Sequence, residues 1–400
     1  MIPAVTPRER IEAVFTGQAQ DRVPVHHIGI SSRVATKLLG REACVGGGVN
    51  QWRESVARWE GPDALAAFAE RTAHDAIDIA IAMDQDLVRP GYWRESRTPV
   101  ARLDEYTFRY EGPPEAYVPG GGAPIDPRGD PAWEVKRLNP ETELFYTIDA
   151  APRPLLTVGD LATFVSRLEQ SAADYAPTAA TFADIGHALD AVADERAVRA
   201  TGAGLAVPMD DAVWMEALLE RPDLVERCLD AQVERALKNI PVLVDMGAHL
   251  IFGGGDFAID GGPMYSPDLF HRIMLPRLRR ISKACHDAGA FHLFGSDGDV
   301  RPVAADLYGG SEIDGHYEFD RRAGMSASAV HAEHPNLAML GGISSWTLHR
   351  GSIDDVRAEV RLCLAEARET GKLIVGCSNV IMPQVPDENL AALVETLAER

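Results

Sequence analysis

Polar residues collect where runs of apolar sequence end: Asp256 after HLIFGGG, His292, Ser296 and Asp297 in FHLFGSD, His316 and Glu318 in GHYEF, Ser344 after AMLGGI, and Cys377, Ser378 and Asn379 in IVGCSN. Histidines and carboxylates brought together can pass a proton to or from a reacting atom, which makes His292, Asp297, Glu318, His316 and Asp256 the catalytic candidates. His316 and Glu318 are two positions apart on one strand, so alternation predicts that they share a face. A thiolate beside an imidazole and a carboxylate, here Cys377, His292 and Glu318, would form a three-ligand zinc site with an open fourth position, as catalytic zinc requires. Plainer roles compete: a histidine inside an apolar run can simply bond a backbone carbonyl, and an aspartate in a glycine turn can simply cap a helix.

The elements that position these residues read as a (β/α)8 barrel, in which loops after the C-terminal strand ends carry the chemistry. Eight strands are predicted in DRVPVHHIGI, DAIDIAIAMDQDLVRP, VRATGAGLAV, HLIFGGGDFA, FHLFGS, EIDGHYEF, LAMLGGIS and LIVGCSNVI. From residue 249 onward strand and helix alternate so regularly that parallel βα units are the economical reading. His26 and His27 alternate across the first strand, so one faces inward and one away. Helix starts are written locally: Thr6-Pro7-Arg8-Glu9 and Ser352 with Asp355 have the form of capping boxes, Ser266-Pro267 that of an N-cap with proline behind it, and Asp210-Asp211 opens a further helical region.

Two stretches break the alternation. Residues 31 to 74 read as helical around a Gly46-Gly47-Gly48 turn, which leaves Cys44 in a flexible setting. Between 93 and 154, short strand-like segments separated by GPP, PGGGAP and DPRGDP predict antiparallel hairpins inserted after the second strand as a lid over the barrel mouth. The whole chain, 1–400, is otherwise expected to be a single barrel domain.

Composition narrows the function classes. At 400 residues, 46% hydrophobic and 25% charged, the chain is ordinary globular material. A formal net charge of -21 argues against nucleic acid or an anionic membrane as partner, since both are bound mainly through lysine and arginine clusters. No stretch approaches about 18 uninterrupted apolar residues and MIPAVTPRERIEAVF lacks a signal-peptide core, so a soluble, cytoplasmic protein is expected. Cys228, Cys285 and Cys363 share helical spacing with apolar neighbours, and five cysteines without paired spacing do not form a disulfide framework.

Four stretches resemble the uroporphyrinogen decarboxylase family, which also contains corrinoid-dependent methyltransferases: TPRERIEAVFTGQAQDRVPV; GGDFAIDGGPMYSPDLFHRIMLPRLRRI; HLFGSDGDVRPVAADL with DGHYEFDRRAGM; and GGIS leading to GCSNVIMPQVPDENL. The resemblance implies a (β/α)8 barrel. Its departures imply a divergent member rather than a true uroporphyrinogen decarboxylase. Where the decarboxylases carry an arginine-rich RQAGRY-type segment, this chain reads HHIGISSRVATKLL, leaving Arg33, with His27 before it, to contact substrate beside Ser296, Ser378 and Asn379. The zinc-dependent methyltransferases use a His-x-Cys-Gly strand and a later cysteine; His292 and Cys377 match, whereas Phe294 stands in place of the first cysteine. Ser296-Asp297-Gly298-Asp299 is closer to an HSDGN-type branch in which zinc is not implied.

The resemblance therefore implies an enzyme moving a methyl group from a small methylated substrate to a corrinoid carried by a partner protein, with zinc as a candidate metal and a homodimer as a candidate assembly. The alternative it implies is a cofactor-free decarboxylase, a lyase acting on a tetrapyrrole or a smaller carboxylated substrate.

Overall fold

A computed structural model describes residues 5–112, 131–153, 155–209 and 211–400. Asp210, Pro154 and the glycine- and proline-rich turns within 113–130 lie outside the described residues. Seven parallel strands form one curled sheet: β1 (Leu87–Val88), β2 (Ala197–Thr201), β3 (Leu250–Gly254), β4 (Phe291–Gly295), β5 (Gly315–Phe319), β6 (Ala338–Ile343) and β7 (Leu373–Cys377), hydrogen-bonded in that order. The edges β1 and β7 are bridged by extended residues 24–28. On the β7 side, His26 N–H donates to the Val375 carbonyl at 3.0 Å and Val375 N–H to Pro24 at 2.9 Å; on the other side, Asp86 N–H donates to the Val25 carbonyl at 2.8 Å. The result is a TIM-like barrel.

Strands buried on both faces divide the core in two. Leu87, Ala197, Leu250, Leu293, Leu340 and Ile374 point inward, while Val198, Ile251, Phe294, Met339 and Val375 face the helices. The helix Pro7–Thr16 sends Ile11 and Val14 into the inner cluster and stacks Phe15 on Phe291, ring centres 4.8 Å apart, so it plugs the amino end of the ring. Its predicted capping box is present: Thr6 Oγ1 accepts from Glu9 N–H at 3.1 Å, and the Glu9 carboxylate accepts from Thr6 N–H at 2.7 Å.

Arg10 of the same helix grips Asp21, at 2.7 and 2.9 Å, and Asp86, whose second carboxylate oxygen accepts from Val25 N–H at 2.8 Å. The pair thus holds the bridging segment against β1. Because removing one member strands a buried charge, Arg10→Met is expected to cost about 3–5 kcal/mol in a urea titration. A loss under about 1 kcal/mol would show that the ion pair does not hold the seam.

The expected second strand is mostly helix. DAIDIAIA belongs to Pro62–Ala82, and the strand begins only at Leu87. The alternation of Ile77, Ile79 and Ile81 imitates a strand, but Ala73, Ala76, Ile77 and Ala80 form a buried helical face that continues from Phe68, and Ile81 is left 48% exposed. Cys44 is not flexibly placed either: it is buried, its N–H donating to Asp75 at 2.6 Å and its carbonyl accepting from Thr72. The expected helix from Ser266 breaks at Met274 into Pro267–Ile273 and Leu275–Asp287.

A separate antiparallel sheet is built from Ala101–Arg102, Thr107–Glu111, Trp133–Asn139 and Leu144–Ala150. Its last turn meets the barrel where the helix Ser32–Leu39 begins: the Glu143 carboxylate accepts from the backbone N–H of Ser32 at 2.9 Å and of Arg33 at 2.8 Å, occupying a helix N-terminus that favours negative charge.

Candidate active site at the carboxyl rim

β3 and β4 both run out into glycines, and this sets the floor of the rim. A Cβ on Gly295 would collide with the ring of Tyr317, and one on Gly254 would stand 2.5 Å from the Tyr317 hydroxyl, so the two glycines give the tyrosine its place across the inner wall. Beyond them Asp256 leaves β3 and Asp297 leaves β4. Asp297 N–H approaches Asp256 Oδ1 at 3.4 Å, and Asn379 Nδ2 donates to Asp297 Oδ2 at 2.9 Å.

Glu318 joins them by a local irregularity. Simple alternation puts it on the helix side with His316, but its φ of 67° lies in the left-handed region and the pairing of β5 with β6 slips between Tyr317 and Phe319. A left-handed non-glycine residue is costly and marks a backbone held for a purpose. The bulge swings the carboxylate inward, and Asp256, Asp297 and Glu318 come to have ligand oxygens within 4.8 Å of one another.

Burial, reinforced by the neighbouring Asp256, pushes the Asp297 carboxyl up to about 7. Burial, with the Asp297 and Asp256 charges, pushes Glu318 up to about 8. Crowded carboxyls of this kind hold protons near neutrality, or accept a hard divalent cation instead.

Two arginines are near enough for their charges to act on Glu318. Arg199 on β2 lays its guanidinium over the Phe252 and Tyr317 rings, 4.7 and 4.6 Å from their centres, and Arg89 lies over Tyr92 at 4.9 Å. Both arginines oppose the rise in Glu318. They line a cavity of about 440 Å³ together with Tyr92, Arg94, Phe182 and Asp184.

Comparison with known proteins adds two findings. Residues 208–400 match the family model Uroporphyrinogen decarboxylase (URO-D). The chain carries a URO-D family domain. No curated protein matches the sequence. Among solved structures, a methyltransferase from Methanosarcina mazei is similar over 98% of each chain, with a TM-score of 0.63 and 17% identity. A B12-independent methionine synthase from a Shewanella species is similar over 84% of this chain and 87% of its own, with a TM-score of 0.45 and 10% identity.

Several expected site residues face away from the rim carboxylates. His292 sits on the outer face of β4, fully buried, with Nδ1 2.8 Å from Ser282 Oγ of the helix Leu275–Asp287. His316 lies on the outer face of β5 against Tyr308, ring centres 5.4 Å apart. Burial brings His292 down to about 3 and His316 to about 4, so both are neutral packing groups. Because strand alternation turns them toward the helices, neither is placed for proton transfer at the mouth.

Cys377 also belongs to the helix-facing core, its N–H donating to His27 Nδ1 at 3.0 Å, and burial pushes its thiol up to about 12. His292, Cys377 and Glu318 therefore do not assemble, and the residues do not fit a zinc of the His/Cys type. Among the described residues the one cluster with ligand spacing is Asp256, Asp297 and Glu318.

The substrate-binding candidates divide. Asn379 reaches the rim through Asp297. Ser296, fully buried, accepts from Phe257 N–H at 3.2 Å and donates to the Asp297 carbonyl at 3.1 Å, so it ties two exit loops together rather than meeting substrate. Ser378 is buried, with its N–H on the Ile343 carbonyl. Ser344 caps the helix Ser345–Arg350. Arg33 donates to the Pro140 carbonyl at 2.7 Å and so serves the antiparallel sheet. His27 faces outward; its neighbour His26 faces inward, near Arg199, with Nδ1 on the Leu87 carbonyl at 2.8 Å.

Arg89, Arg199 and Tyr317 are not among the residues that the strand-end pattern singles out, and His26 is the member of the alternating pair that faces inward. The available signal was a charged residue inside an apolar run, as in AVRAT and DLVRP. As a check on the outward placement of His292, Ser282→Ala is expected to cost about 1–3 kcal/mol of stability, by leaving a buried imidazole nitrogen unpaired, with unchanged turnover per folded molecule. A drop in turnover without loss of stability would return His292 to the site.

Proposed function

We propose that the chain is a methyl-transfer enzyme that takes a methyl group from a small methylated substrate and passes it to a corrinoid held by a partner protein. The observation that carries this reading is the gathering of Asp256, Asp297 and Glu318 within 4.8 Å of one another at the rim, where burial raises the Asp297 and Glu318 carboxyls toward neutrality. Methyl transfer from a heteroatom leaves the electron pair of the broken bond on that heteroatom, and a carboxylic acid beside it supplies the proton that neutralises the leaving group. Asn379 orients Asp297 for this through its hydrogen bond, and burial, reinforced by the neighbouring Asp256, favours the protonated form of both acids. The corrinoid of the partner supplies the nucleophile that receives the methyl group. The similar fold of the Methanosarcina methyltransferase agrees with this reading. The antiparallel sheet between Ala101 and Ala150, clamped to the rim through Glu143, acts in this scheme as the lid that screens the mouth.

The test is methyl transfer to cob(I)alamin from methoxylated and methylamine-type donors. Transfer from one of them supports the proposal; none from any donor rejects it. A second reading, decarboxylation of a carboxylated pyrrole or smaller acid, is favoured by Arg89 and Arg199 in the mouth, and release of CO2 without methyl transfer would establish it.

A further inference from the structure

Four arginines are buried among the described residues. Arg10 ends on Asp21 and Asp86, Arg97 on Glu95 and Glu134, and Arg277 on Asp230. Arg199, 7% exposed, ends on no carboxylate, and its Nε and Nη1 have no hydrogen-bond partner among the described residues. A buried guanidinium without a counter-charge is strongly disfavoured unless something arrives to pair with it. Arg89 next to it donates only to carbonyls, Ile28 at 2.6 Å and Gly91 at 2.9 Å, and burial together with the Arg199 charge brings it down to about 10. In a chain of net charge -21, two positive groups are thus held against each other with no carboxylate bonded to either among the described residues. Both open into the 440 Å³ cavity, in the lower part of the range for small-molecule sites.

We infer that Arg89 and Arg199 anchor the carboxylate of a small organic acid, which makes the substrate an acidic molecule with its reacting end toward Glu318. The guanidinium fork matches a carboxylate with two parallel hydrogen bonds, and the free Nε and Nη1 of Arg199 are the donors left for it. Stacking on Phe252 and Tyr317 fixes the plane of that fork before the ligand arrives. The inference rests on the proposed function only for the direction in which the substrate points.

Calorimetric titration of the full chain with acetate, benzoate, acetamide, benzamide and inorganic phosphate tests it. At least one carboxylate is expected to bind saturably and at least tenfold tighter than its amide. Arg199→Met and Arg89→Met are each expected to weaken that binding tenfold or more. Amides binding as well as acids, phosphate binding tighter than both carboxylates, or arginine variants with unchanged affinity would each overturn it. Should Arg199→Met fail to fold, Arg199→Lys and the loop variant Arg89→Met decide. The titration contains no methyl acceptor, so its outcome is independent of methyl transfer: carboxylate binding here together with no transfer from any donor to cob(I)alamin rejects the proposed reaction alone, and transfer from a neutral donor with no acid bound rejects the anchor alone.

Discussion

Replacing Glu318 by Gln, or Asp297 by Asn, is expected to lower methyl transfer at pH 7 by about 10²–10⁴-fold, since the amide keeps the shape of the acid and cannot supply its proton. The wild-type rate should fall as pH rises through about 7 and 8, where Asp297 and Glu318 lose their protons. Because the carboxyls interact, that limb belongs to the cluster rather than to either residue. Stability follows the same window. Each carboxyl binds its proton more tightly in the folded chain than in the unfolded one, so the contribution of these two groups to stability is fully present below about pH 4 and is lost as pH rises through about 7 and 8. Asp297→Asn removes one of the two groups responsible, and this variant should melt above the wild type at pH 8 and lose that advantage near pH 4. A rate independent of pH from 6 to 9, together with melting curves that coincide at both ends, would leave the acid pair without a role.

Gly376→Ala is expected to damage the fold more than any other single methyl discussed here. The added Cβ would meet the carbonyl oxygen of His26, with His27 N at 3.1 Å, so it presses on the backbone that closes the ring rather than on a side chain able to move. A loss of at least about 3 kcal/mol in urea unfolding, or failure to accumulate folded protein, is the expected result. Gly371→Ala is the control: it has a φ of 63° and open space around it, so its cost should stay near 1 kcal/mol. Equal, small losses in both variants would show that residues 24–28 part easily from β7.

The barrel was legible because six of its strands, from VRAT to LIVGC, are short apolar runs bounded by helix signals. The capping residues Thr6, Ser266 and Ser352 sit where their spacing placed them. The second strand was not legible, since its visible signal is a helix whose isoleucines happen to alternate. Asp256, Asp297 and Glu318 were found as strand-end polar residues. The side each residue takes was less accessible: His292 and His316 look equivalent to Glu318 in a pattern of period two, and only the left-handed backbone at Glu318 separates them. Arg89 and Arg199 went unseen because their significance is relational. A sequence shows that a charge lies in a strand, but not that its guanidinium lacks a counter-charge.

The seam that closes the ring joins positions 350 apart, as the bond from Cys377 N–H to His27 shows. During synthesis the first segment must therefore wait, unpaired on one side, until β7 has left the ribosome. Contacts of such long range make formation slow and leave the unpaired side of residues 24–28 exposed to wrong pairing in the interval. Refolding from urea is accordingly expected to depend on protein concentration and to benefit from a chaperone, while the finished molecule, once sealed, presents no open barrel edge for another chain to join.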